Sequence, residues 1–373
     1  MIKKVLYILT VICVFFPLKV YAAANVAVIA PKAGEFRRLG TEIIEGVRLA
    51  VDEINAGGGL NGEKINLITV DDQCNDRLSV STAQMMALNT SKTDRINLVI
   101  GPYCTNAFRQ VAAIYAKAGI FQIIPTSVSA QNAAASNYKG LVKMVGFSER
   151  QGQDFLKFYQ KHFASKNLAM IYDSRQSDTI DVARIVRSEF QKAAPAGILR
   201  VYNLADYGSD LDYLARDITD NSAEAAYILG RPKSVAKLAK YLRQEDDEFI
   251  IFTNRYQSQE SYKKILGNLS EGAYVIALPS LKDDPAFTET LVRLRLLGVE
   301  PEGLAVYGYS AVKLWEALVN KTDSFAYEKL AAAVNKKKVD TTWGEMMFNN
   351  GNPDNSVHYS VYRIQNGEYA QVY

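Results

Sequence analysis

Between Val26 and Ala277 the chain repeats one pattern: a short apolar run of strand length, a loop, then a longer segment whose apolar residues recur at helical spacing. Val26-Ala27-Val28-Ile29-Ala30 has no polar face, as a parallel strand buried on both sides requires. Behind a capping Thr41, residues Ile43, Ile44, Val47, Ala50, Val51 and Ile54 mark one face of a helix, which Gly57-Gly58-Gly59 ends. Strands at 64–70, 96–100 and 120–124 follow, with helices over 76–89 and 106–118 between them. This strict alternation predicts an α/β chain whose parallel sheets carry helices on both faces. Residues 141–146 read as a strand leaving the first unit. A helix over 149–163 then opens a second series, with strands at 167–172, 198–202, 225–229, 249–252 and 273–277. Beyond Pro279 the pattern changes to helices over 285–297, 303–321 and 327–335. Two strands, 356–364 and 369–373, end the chain around Asn366-Gly367, a strong hairpin signal.

Residues 1–24 read as an export signal rather than structure. Lys3 and Lys4 precede an apolar run over 5–18 that is short for a bilayer, and the small residues Ala22 to Ala24 follow. Cleavage after Ala22 or Ala24 starts the mature chain near Asn25. A retained membrane anchor is the alternative, and Pro17 and Lys19 count against it. Loss of Lys3, Lys4 and Lys19 takes the formal charge from +3 to 0, so no nucleic-acid footprint remains. Of three cysteines only Cys74 and Cys104 stay, and an even pair in an exported chain favours a disulfide; two buried free thiols are the alternative. A mature chain of roughly 350 residues exceeds one core, so two domains are expected. With no low-complexity linker in sight, several short crossings join them better than one tether.

Catalytic chemistry is poorly supplied. His162 sits inside a helix and His358 in a terminal strand, each without a nucleophile loop beside it, so neither is an oriented base. No nucleophile elbow, phosphate loop or Cys/His metal spacing occurs, and no cofactor is implied. Asp71-Asp72 ends a strand, but no further oxygen ligands follow at the spacing a calcium site needs. The positive signals are polar loops at carboxyl ends of strands, where open parallel sheets bind ligands. Thr105 can cap the helix over 106–118, leaving the amides of Asn106 and Ala107 for a carboxylate; capping alone is an equal reading. Thr126-Ser127-Val128-Ser129 follows the next strand and so stands beside Thr105.

Five stretches carry a resemblance: residues 46–58 (Gly-Val-Arg-Leu-Ala-Val-Asp-Glu-Ile-Asn-Ala-Gly-Gly), Asp71-Asp72-Gln73-Cys74, Ile100-Gly101-Pro102-Tyr103-Cys104-Thr105, Tyr115-Ala116-Lys117-Ala118-Gly119-Ile120 and Thr341-Thr342-Trp343-Gly344. With these in order, nearly the whole mature chain resembles the exported solute-binding proteins of the branched-chain amino acid transporter class. The resemblance implies a type I periplasmic binding protein fold, two doubly wound α/β lobes joined by three crossings around a ligand cleft. Lobe 1 would take 25–146 and 279–348, and lobe 2 would take 147–278 and 349–373. It also implies that Cys74 pairs with Cys104, that Thr105 holds a ligand carboxylate, and that Ser127 and its neighbours hold an amino group. Tyr103, Thr105, Thr126 and Ser127 are thus the expected contacts from lobe 1, with Arg231, Arg255 and Tyr256 from lobe 2.

The departures from that class bear on the ligand. Val128 stands where a hydroxyl is usual, Ser177 where a tyrosine is common, and Arg231 where an aromatic residue often lies. Arg255 occupies the stretch that normally supplies an acid for the ligand ammonium. Burying an ammonium without a carboxylate costs several kcal/mol. The expected ligand is therefore a small organic or aromatic carboxylate, with a true amino-acid binder as the alternative. The resemblance implies a periplasmic, non-enzymatic, monomeric receptor that delivers its ligand to an ABC permease in the inner membrane. A sensor presenting its bound state to a membrane partner would use the same lobes.

Overall fold

The computed structural model describes residues 24–89, 91, 94–133, 138–254, 259–281, 284–299, 304–354 and 357–373. Residues 1–23 of the expected export signal, and both Arg255 and Tyr256, lie outside them. Ala24 already belongs to the fold, since its amide donates to Lys64 O at 2.9 Å.

Five strands build the first sheet: β1 (Ala24–Ile29), β2 (Ile65–Val70), β3 (Ile96–Ile100), β4 (Phe121–Ile124) and β5 (Leu141–Lys143). They are parallel, in the order β2-β1-β3-β4-β5. Successive side chains of a strand point to opposite faces, and β1 shows what that does here. Val26 and Val28 enter a core with Ile43, Val47, Trp315 and Leu318, while Ala27 and Ile29 enter a second one with Val99, Val111 and Tyr115. The run over residues 26–29, apolar at every position, is thereby buried on both sides, as its sequence requires.

The first of these cores depends on a helix from late in the chain. The helix Arg37–Ala56 crosses the helix Leu304–Thr322 at backbone contact. A Cβ at Gly46 would lie 1.8 Å from Ala305 O, and one at Gly308 would lie 2.4 Å from Ile43 O. Only glycine fits at either position.

The second sheet contains β6 (Leu168–Tyr172), β7 (Leu199–Asn203), β8 (Ala225–Ile228), β9 (Ile250–Asn254) and β10 (Tyr274–Ala277). Next in the chain come β11 (Lys338–Thr341), β12 (Gly344–Asn349) and β13 (Asn352–Pro353), an antiparallel ribbon. Finally β14 (Ser360–Gln365) and β15 (Glu368–Gln371) complete the second sheet in the order β15-β14-β10-β9-β8-β6-β7. Its last two strands run antiparallel, joined by the expected Asn366-Gly367 turn with φ of 51° and 73°.

The ribbon was absent from the sequence expectations, although Asn350-Gly351 carries the same hairpin signal. It stays with the first sheet, where Gly351 O accepts from Lys143 N at 2.7 Å. The chain passes between the two sheets three times: after β5, after β10 and between β13 and β14.

Candidate ligand-binding cleft

At the end of β3 the chain turns at Gly101, where φ is +104° and a Cβ would meet Ile29 O at 2.4 Å. That turn sends Tyr103 N to Ile29 O at 3.1 Å and buries the Tyr103 ring beside Phe36. Cys104 then bonds Cys74, with the Cα atoms 5.2 Å apart. The Cys74 turn is braced by the acidic pair. Asp71 Oδ1 accepts from Lys32 N at 3.0 Å and Gln73 N at 2.9 Å, and Asp72 accepts from Cys74 N at 3.2 Å and Ser79 Oγ at 2.7 Å. Asp71 and Asp72 thus hold a loop, which accounts for them without metal or catalysis. His358 likewise meets a structural partner, Asp154, at 3.2 Å, and His162 packs on Phe158.

Thr105 does not cap the next helix. The helix Phe108–Ala118 starts later than expected, with Ala107 at its N-cap and no side-chain bond there; Thr105 O accepts from Phe108 N at 3.1 Å in a preceding turn. The side chains around that turn are committed across the cleft. Asn106 Nδ2 donates to Arg175 O at 2.9 Å, Asn106 Oδ1 accepts from Ser177 N at 3.0 Å, and Asn132 Nδ2 donates to Ser177 Oγ at 2.9 Å. Ser177, noted in the sequence as a replaced tyrosine, is thus a bridge between the two halves.

After β4, Thr126 and Ser127 face the cleft while Val128 joins a core with Phe108 and Ala112. Its missing hydroxyl therefore leaves no gap in the wall. The opposite wall comes from the carboxyl ends of second-sheet strands, as parallel topology dictates. Asp178 lies in the first turn of the helix Ser177–Ala193, Arg231 precedes the helix Pro232–Glu245, Asn254 ends β9, and Ile276–Leu278 close β10.

Two compartments result, joined through Tyr103, Thr126 and Ser127, which line both. One encloses about 510 Å³, partly open to solvent, and is largely apolar: Leu39, Ile276, Leu278, Leu304, Tyr307 and Tyr359 surround it. The other, about 540 Å³, is polar and takes Thr105, Asn106, Gln176, Asp178 and Arg231. Four of the expected site residues from lobe 1 and Arg231 thus come together. Asp178, Asn254, Gln151 and Tyr359 were missed. Asp178 was within reach, one residue past Ser177 in the first helical turn after a strand's carboxyl end.

Asp178 alters the electrostatics expected of the site. Burial raises the Tyr103 hydroxyl well above its ordinary pKa, and the Asp178 and Glu42 carboxylates add to the effect. Tyr359 is pushed up in the same way, chiefly by burial, with Asp178 contributing, and it is hydrogen-bonded to Ser127. Both phenols therefore stay neutral at any physiological pH. Arg231 and Asp178 put opposite charges on one compartment. Thr126 Oγ1 and Asn254 Oδ1, on residues 8% and 3% exposed, face the cleft with no hydrogen-bond partner among the described residues. Buried polar atoms are normally satisfied. Two on facing walls of one cavity are what a ligand would complete.

A further contact spans the cleft at its rim. Glu35 Oε2, on the loop before the helix Arg37–Ala56, accepts from Lys233 N at 3.2 Å, at the amino end of the helix Pro232–Glu245.

The sequence matches the periplasmic binding protein family over residues 23–368. An amino acid binding protein of Pseudomonas aeruginosa is 25% identical over 367 residues, covering 95% of this chain and 94% of its own length. Among solved structures, a leucine-binding protein of Thermotoga maritima superposes with a TM-score of 0.81 at 18% identity, covering 94% of this chain and 98% of that one. An ABC-transporter solute-binding protein of R. palustris in complex with benzoate gives 0.77 at 16% identity, covering 94% and 95%.

Proposed function

This chain belongs to the periplasmic binding protein family, and on that premise we propose that it is an exported receptor for a small carboxylate with an apolar body, which it delivers to an ABC permease of the inner membrane. The divided cleft carries this reading: a compartment with Arg231, Thr105 and Ser127 beside one lined by Leu39, Ile276, Leu278 and Tyr307. Arg231 and the Thr105 and Ser127 hydroxyls would hold the carboxylate, since guanidinium and hydroxyl donors match its oxygens. Thr126 and Asn254 would meet a polar substituent. The three passages between the sheets would let one lobe, 147–278 with the final strands, close on the other.

The test is a thermal-shift screen of aromatic, aliphatic and α-amino acids, because a ligand of the folded state raises Tm. Acids with an apolar body should give the largest shifts. Arg231→Ala should weaken the best of them by about ten- to a hundredfold, the range for a charged hydrogen bond of ~1.5–3 kcal/mol. An unchanged affinity would remove Arg231 from the site.

A second reading, an α-amino acid binder, is favoured by Asp178, which offers the ammonium partner that the Arg255 stretch does not. Asp178→Asn separates the two. It should weaken an α-amino acid about tenfold or more, yet leave a plain carboxylate bound as well as before or better.

Glu35 bears on closure under either reading. Glu35→Gln keeps the hydrogen bond but removes a charge worth ~0.3–1 kcal/mol at a helix amino end. Ligand release should speed up about two- to fivefold with an unchanged association rate, measured by stopped flow. A purely slower association would contradict a role in holding the cleft shut.

A further inference from the structure

The second sheet has another cavity, at the end away from the cleft. The ligand cleft takes Asn254, Ile276 and Leu278 from the carboxyl ends of β9 and β10. This cavity takes Ile250, Gly272 and Tyr274 from their amino ends, and encloses about 1240 Å³, partly open to solvent.

Two guanidinium groups enter it from different elements. Arg243 comes from the last turn of the helix Pro232–Glu245, and Arg363 from β14, where antiparallel pairing sets it opposite Tyr274. They converge on Gly272: a Cβ there would lie 3.5 Å from Arg363 Nη2 and 3.9 Å from Arg243 Nη2. The missing side chain leaves both open to the cavity. Arg363 lies over the Tyr274 ring at 5.5 Å. Arg243 Nη1 donates to Asp247 O at 2.7 Å, while its buried Nε has no partner among the described residues.

Among the described residues no carboxylate pairs directly with Arg243 or Arg363, although the exposed Asp246 and Asp247 favour the charged form of Arg243. Glu271 accepts from the amides of Asn366 at 2.7 Å and Gly367 at 3.2 Å, so its oxygens serve the hairpin turn. Glu248 is on the exposed rim. Two like charges drawn together repel, more so where water is partly excluded. Burial pulls the Arg243 pKa below the ordinary arginine value; Tyr262, Asp246 and Asp247 oppose the shift and the Arg363 charge adds to it. A bound anion relieves that repulsion, and arginine forks match oxyanion geometry.

We propose that this cavity is a second binding site, for a small oxyanion of the phosphate or carboxylate type held between Arg243 and Arg363, and independent of the ligand cleft.

The experiment titrates the full chain with inorganic phosphate and, separately, acetate at constant ionic strength, with chloride as the balancing anion, by calorimetry and phosphorus NMR. The expected result is saturable one-to-one binding of at least one oxyanion. It should weaken about tenfold or more in Arg363→Gln, and for phosphate it should stay unchanged in Arg231→Ala, where only the carboxylate anchor proposed for the ligand cleft is lost. Arg363 is exposed, so the variant should fold; Arg243→Gln, with the parental circular dichroism spectrum, should weaken binding similarly. Tighter phosphate identifies a tetrahedral ligand and tighter acetate a planar one, either within the proposal. Binding no stronger than chloride for both anions, or phosphate binding lost in Arg231→Ala and kept in Arg363→Gln, would overturn it.

Discussion

Lys143→Met is expected to be more stable than the parent chain at pH 7, by ~3 kcal/mol. Lys143 lies in β5, wholly excluded from solvent, and its Nζ has no hydrogen-bond partner among the described residues. Burial pulls its pKa from 10.5 down to about 8. Below pH 8 the residue is protonated in both folded and unfolded chains, and the folded state bears the full cost of a buried ammonium. Between about pH 8 and 10.5 the unfolded chain binds more protons, so the contribution of Lys143 makes stability rise with pH. Above that window the lysine is neutral in both states and the cost is gone. The advantage of methionine should therefore be complete at pH 7 and shrink towards pH 10.5, in urea unfolding followed at both. A variant less stable than its parent at pH 7 would mean that the ammonium has a partner worth keeping.

Removing the disulfide should act in the opposite direction and at least as strongly. Cys74 and Cys104 are 30 residues apart in sequence, and closing a loop of that size stabilises by ~3–4 kcal/mol in the chain-entropy account. The Cys74→Ser, Cys104→Ser double variant should lose about that much in urea unfolding. It should also bind ligand more weakly under native conditions, because Tyr103 and Thr105 flank the second cysteine. A loss below about 1 kcal/mol would assign the turn to the Asp71 and Asp72 hydrogen bonds instead.

The sheets were readable in the sequence because burial on both faces leaves most strand positions apolar, as in β3 and β8. The first wall of the cleft was readable too, since Tyr103, Thr105, Thr126 and Ser127 sit just after strands, where topology places ligand contacts. Of the opposite wall only Arg231 was. Tyr359 reaches the cleft from the third passage between the sheets, and Tyr307 from a helix of the first unit; neither position follows from local pattern. Asp178 did not stand out because an acid in the first turn of a helix is equally explained by the helix dipole. Its place on the cleft weakens the case against an amino-acid ligand, which rested on the lack of an acid near Arg255. The ribbon of β11, β12 and β13 escaped because its strands mix charged and apolar residues on a half-exposed surface.

The crossing of Gly46 and Gly308 has a consequence for the order of events during synthesis. The first core closes only when a helix near residue 308 meets one near residue 46, and β10 gains its outer neighbour only when residues 360–365 exist. Contacts so distant in sequence form slowly. Both halves therefore remain incomplete until almost the whole polypeptide has been made. A chain built this way leaves apolar surface of both halves uncovered until its synthesis is nearly complete.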